Sequence, residues 1–76
     1  MEFPGPLELA AIRGWCDAHR GSVSAIARLV VQHDGTRGIH YPAVSRTLAG
    51  KERNSLVIEA YQQLRALAKQ QLEAAR

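Results

Sequence analysis

Little in this chain is of the kind that staples, anchors or stiffens a protein. It has one cysteine, Cys16, so no internal disulfide can hold it, and a reducing, cytoplasmic setting is expected. Three prolines and six glycines exclude collagen-like or proline-rich material. Aromatic residues are 5% of the chain, and Phe3, Trp15, Tyr41 and Tyr61 are scattered, so no platform for stacking unpaired RNA bases is expected. No apolar run approaches the ~20 residues needed to cross a bilayer. The opening Met1 to Pro6 is neither basic nor apolar, so no signal peptide and no membrane partner are expected. A glycine-rich phosphate loop, paired carboxylates in an apolar setting, and a nucleophile beside a base are all missing, which argues against an enzyme and against any cofactor. Cys16 and His19, with His33 and His40 further on, offer one thiol and no second ligand pair at zinc spacing. No metal site is expected from them.

What is present is an ordinary globular balance, 46% hydrophobic and 22% charged over 76 residues. A chain this short forms a single domain, 1–76, and buries only about 60% of its unfolded surface. Ten Lys/Arg against seven Asp/Glu give a net charge of +3. The excess is central: Arg20, Arg28, Arg37, Arg46, Lys51 and Arg53 stand against Asp34 and Glu52. A basic centre suits a polyanion-binding surface, and equally an ordinary solvated one.

The spacing predicts four helices. The first runs over 6–19, opened by Pro6 in the first turn and stopped near Gly21, with Leu9, Ile12, Cys16 and His19 on one stripe. A second starts with Ser22 as its N-cap, carries Val23, Ile26, Ala27 and Val30 inward, and fades at 31–33. Residues 33–40 read as a loop, in preference to a hairpin around Asp34-Gly35, because their flanks do not alternate. A third, short helix runs from Tyr41-Pro42 to Gly50. A polar linker then leads to Ser55, the expected cap of a last helix on which Val57, Ala60, Tyr61, Leu64, Leu67 and Ala68 keep helical period. Leu64, in the middle of that stripe, is expected in the core. The last helix is longer than a domain this small needs, so its far end either frays or meets a second copy.

On a helical wheel the third helix turns Val44, Thr47 and Leu48 inward and Pro42, Ser45, Arg46 and Ala49 outward, with Tyr41 at the rim. Small outward residues let a helix enter a groove ~12 Å wide, and arginine can grip guanine O6 and N7 with two bonds. A plain surface helix with one solvated arginine would look the same.

The run His40-Tyr41-Pro42-Ala43-Val44-Ser45-Arg46-Thr47-Leu48-Ala49-Gly50 resembles the recognition helix of helix-turn-helix DNA-binding proteins. It is especially similar to the Tyr-x-x-Val-Ser-Arg run of the lactose-repressor family headpiece. Ser24 to Arg28 resembles the first helix of that motif, and 55–67 resembles the closing helix of the same headpiece and of the phage lambda repressor and Cro group. The resemblance implies an all-α, four-helix single domain containing a helix-turn-helix. Its turn, about 33–40, is enlarged beyond the usual 3–4 residues. It further implies double-stranded DNA as partner, with Tyr41, Ser45 and Arg46 at the bases and Ser22 and Ser24 at the backbone. Pro42 stands where that group has a base-reading polar residue, and His40 or the loop would replace its contact. Arg37, Lys51, Arg53 and Asn54, which flank the third helix, are candidate phosphate ligands. Arg20 and Arg28 read as plain surface.

The expected function is sequence-specific binding of duplex DNA by a small transcriptional repressor without a small-molecule effector. One short helix reads few base pairs, so a homodimer is expected. The competing reading is a helical protein-interaction module, or an antitoxin-like adaptor, that uses the apolar stripe of the last helix.

Overall fold

A computed structural model describes residues 3–74. The chain folds into four α-helices: α1 (Pro6–Ala18), α2 (Ser22–Leu29), α3 (Tyr41–Leu48) and α4 (Ser55–Ala74). Among the described residues none of these helices is long and apolar enough to cross a membrane.

Each helix starts where local chemistry frees it to start. Pro6 occupies the first turn of α1 behind Gly5, a position whose missing N–H is no loss. Gly21, in the left-handed region with φ 82°, caps α2. Ser22 is therefore the first helical residue rather than the cap. Its hydroxyl and its N–H both donate to the His19 carbonyl, which ties α2 to the end of α1. Asn54 caps α4, accepting the Leu56 N–H on Oδ1 at 3.1 Å. Ser55, the expected cap, is already helical.

The end of α3 is a Schellman turn. The Gly50 N–H donates to the Thr47 carbonyl and the Lys51 N–H to the Arg46 carbonyl, at 3.1 and 2.9 Å. This closure needs a residue at positive φ, and Gly50 supplies it at 83°. The guanidinium of Arg13, from α1, donates to the Leu48 carbonyl at the same end, where a cation meets the negative pole of the helix.

The core is assembled from one face of each helix. Leu9, Ile12 and Cys16 come from α1, and Ile26 and Ala27 from α2, with Val30 just beyond it. Val44 and Leu48 belong to α3, and Val57, Ile58, Ala60 and Tyr61 to α4. Burying each of the larger aliphatic side chains contributes about 1.5–3 kcal/mol. The second helix lies at the centre, packed on α1, α3 and α4. Thr47 is also fully buried, and its hydroxyl donates to the Ala43 carbonyl at 2.9 Å, so this hydroxyl is not stranded.

Three further expectations need correction. First, α2 ends at Leu29 instead of fading at 31–33, because Val30 turns extended and its carbonyl accepts the Gly38 N–H at 2.7 Å. Second, the connection is longer than 33–40 and is not a plain loop. It spans 30–40 and folds on itself through one antiparallel bridge between Val31 and Arg37. Third, the fully packed stripe of α4 ends at Tyr61. Leu64 is only half-buried, while Leu67 and Leu72 are exposed. A 20-residue helix is about 30 Å long, in a molecule measuring 38 × 30 × 23 Å. The far turns of α4 therefore run past the core.

Candidate nucleic-acid interface

The wheel drawn for α3 holds in three dimensions. Val44, Thr47 and Leu48 are 0%, 0% and 3% exposed, whereas Tyr41, Pro42, Ser45, Arg46 and Ala49 all face outward. Two buried β-branched residues and a leucine on one side fix the rotation of an eight-residue helix. Its outward side then shows Tyr41 at one end, followed by proline, serine, alanine and one arginine.

The flanks differ. Tyr41 and Ser45 lie on the side of α1, where they line one depression with Arg13, Asp17 and Val23. A second depression joins Tyr41 to the start of α2 and is lined by Arg20, Ser24 and Asp17. Arg20, read from sequence as plain surface, thus stands beside Ser24 and Tyr41. No motif marks it. Its place follows from the tight α1–α2 turn at Gly21. Arg46 is turned toward the chain that follows α3, where its Nε donates to Glu52 Oε1 at 2.8 Å.

His40 occupies the N-cap position of α3 and is exposed. Its carbonyl accepts the Ala43 N–H at 3.0 Å. Lys51 is exposed just past the Schellman turn. The exposed guanidinium of Arg53 lies over the Phe3 ring, 6.0 Å from its centroid, a cation–π arrangement that carries it toward the N-terminal segment. Two candidates have other employment. Ser22 is buried with its hydroxyl on His19, so its side chain does not reach a phosphate. The side-chain oxygen of Asn54 is taken by its own helix. Ser24, two residues into α2, is exposed.

Arg37 projects from the folded connection between α2 and α3. There the Gln32 N–H donates to the Thr36 carbonyl at 2.9 Å and the Gly35 N–H returns to Gln32 at 2.9 Å. Asp34 Oδ1 accepts the Thr36 N–H at 2.9 Å, and this bond holds the Asp34 carboxyl below its usual range. The Gln32 side chain closes the base by donating to the Gly38 carbonyl at 2.7 Å, and the Ile39 N–H donates to the Ala27 carbonyl at 3.0 Å. The insertion is thus a small internally bonded finger, rooted on α2, with His33, Asp34, Thr36 and Arg37 exposed along it.

Away from α3, Tyr61 joins Trp15 and His19, which stand one helical turn apart at the end of α1. The Trp15 and His19 rings stack at 4.1 Å between centroids, and Trp15 meets Tyr61 edge-on at 5.6 Å. His19 Nδ1 lies 2.8 Å from the Trp15 carbonyl oxygen and donates to it. With Arg65, Ala68, Lys69 and Leu72 these residues line an open groove of about 600 Å³ along the far part of α4. Cys16 is buried, and burial together with the neighbouring Asp17 pushes its thiol above the ordinary range. Among the described residues no three His, Cys, Asp or Glu side chains gather as metal ligands would.

Comparison with protein-family models, with curated proteins and with solved structures finds no match to this chain.

Proposed function

We propose that this protein binds double-stranded DNA sequence-specifically by placing α3 in the major groove, with Arg46, Tyr41 and Ser45 toward the bases and His40 at the entering end. The observation that carries the reading is the split of α3. A fully buried inner side fixes its rotation, and a slim outer side bears one exposed arginine. A helix so built can approach base edges without bulky side chains holding it off. Positive charge flanks it along the chain, with Arg37 on the finger before the helix and Lys51 and Arg53 after it, and Arg20 stands beside Ser24 and Tyr41. These are the side chains proposed to meet phosphate, and they set register without reading sequence.

The protein acts in this reading as a small cytoplasmic repressor, since occupancy of a duplex is by itself enough to exclude other proteins. It works as a homodimer, because two short helices related by a two-fold axis read twice the sequence of one.

A second reading rests on the groove beside α4. Trp15, Tyr61 and Leu72 give it an apolar floor and rim, and Leu67 is exposed on the same helix. Such a surface fits a protein-interaction module that receives a partner helix. Salt separates the two. Selection from a random duplex pool, followed by titration of the selected sequence, should give affinity that falls with salt at a log–log slope of about −0.9 per phosphate neutralised. No enrichment of any sequence, or affinity indifferent to salt, would remove the DNA reading and favour the groove.

A further inference from the structure

The Schellman turn after α3 does more than end a helix. By returning the Lys51 N–H to the Arg46 carbonyl at 2.9 Å, it folds the chain back so that the next residue, Glu52, stands beside the side chain of Arg46. The two are joined at 2.8 Å through Arg46 Nε and Glu52 Oε1. Arg46 is therefore held twice by the same turn, once through its carbonyl and once through its guanidinium.

The choice of nitrogen matters. A guanidinium carries its donors in a rigid plane, one on Nε and the rest on the two terminal nitrogens. With Nε occupied, the terminal pair keeps a parallel fork of N–H groups directed away from the stem. That fork is the shape that matches O6 and N7 of guanine. Both side chains are about half exposed, 52% for Arg46 and 41% for Glu52, so the fork is not covered by protein. An ion pair this exposed adds little to stability.

We propose that Glu52 is a positioning residue: it holds Arg46 so that the terminal fork reads a guanine end-on in each half-site. This rests on the DNA-binding reading of α3. Two physical effects follow. Part of the rotamer freedom that Arg46 would lose on binding is restricted in the free protein by this pair, so a guanine contact forms at smaller entropic cost. The Glu52 carboxylate also disfavours the nearby phosphates, which penalises any complex in which the fork finds no guanine. Glu52 thus contributes to discrimination while opposing unspecific adhesion.

The test uses the full chain as wild type, E52A and E52Q. Duplexes are the sequence selected by the wild type, the same sequence with each guanine of a half-site replaced in turn by adenine, and a random duplex. Anisotropy titrations of the wild type should find one guanine whose loss weakens binding about tenfold or more. E52A should reduce that preference about tenfold while tightening binding to random DNA. E52Q keeps the accepting oxygen and should restore most of the preference. An unchanged preference in E52A, equal tightening on every duplex, or failure of the glutamine rescue would each overturn the assignment. An NMR measurement on the free protein gives a readout without DNA: the Arg46 Nε–H signal should exchange slowly with water in the wild type and rapidly in E52A. Equal exchange in both would show that the pair is not held, and would overturn the proposal while leaving DNA binding intact. A wild type that binds no duplex removes the DNA reading, and the guanine assignment falls with it even where the NMR result still reports the ion pair. Matching melting midpoints for the three proteins confirm that the fold is not what changed.

Discussion

Arg46 stands alone on a face of small side chains, so its truncation is the sharpest residue-scale test of the interface. Arg46→Ala should weaken binding to the selected duplex by about 1–3 kcal/mol and relax preference at one base position. Equal loss on selected and random DNA would show contact with phosphate only. Asn54→Ala should act differently. It removes the oxygen that caps α4, at a cost of about 1 kcal/mol, and lowers the melting midpoint while the base preference of the folded protein stays the same. At this scale the sequence was readable where periodicity decides. Val44, Thr47 and Leu48 could face only one way, and Arg46 therefore faced the other. Caps were less legible, because two good capping residues stand side by side at 54–55, as do glycine and serine at 21–22. Propensity cannot choose between neighbours. The hydrogen bonds do, and they give the role to Asn54 and to Gly21. Nor could any sequence pattern announce the pairing of Arg46 with Glu52, since it depends on a turn that reverses the chain.

Among the elements, the finger between α2 and α3 departs most from expectation. Its flanks do not alternate polar and apolar, so the usual hairpin signature is missing, and only one bridge forms. What shapes it is a set of specific bonds made by Gln32, Asp34 and two glycines. Gly38 is the hinge of this arrangement. It has φ 89°, its N–H is bonded to Val30, and a Cβ there would lie 3.6 Å from the Ala27 carbonyl oxygen. The contact distance is ordinary, so the cost of Gly38→Ala comes from the backbone, about 1–2 kcal/mol for an L-residue in the left-handed region. Urea denaturation should show a lower midpoint with an unchanged slope. A neutral substitution would mean that the finger is not rigidly rooted on α2. The helices themselves were legible to within a few residues, because each carries a three-to-four-residue apolar repeat bounded by proline, glycine or a polar break.

For the molecule as a whole, the informative mismatch is between the length of α4 and the extent of the core. The apolar repeat continues to Leu67 and Leu72, but the packed part ends near Tyr61, with Leu64 half-covered. Sequence period reports which face is apolar, and it does not report where the other helices stop. Leu64→Glu is expected to destabilise the domain without abolishing folding, because water already reaches that side chain. Leu72→Glu should leave the melting transition of a monomer unchanged, since Leu72 is 62% exposed. If the proposed homodimer uses the far turns of α4, light scattering will give twice the chain mass for the wild type and a single chain mass for Leu72→Glu. A dimer that survives this substitution places the two-fold contact elsewhere.

The buried thiol of Cys16 supplies a gauge for all of this. It is the lone cysteine of the chain and sits on the inner face of α1, where its reactive thiolate form is disfavoured. Although Cys16 borders two surface depressions, its low exposure means that an alkylating reagent reaches it most readily when α1 leaves the other helices. A ligand that binds the folded form alone suppresses such openings, and at one hundred times its Kd it should slow the modification that passes through them about one hundredfold. Alkylation kinetics thus turn one hidden sulfur into a label-free titration of whatever this molecule holds.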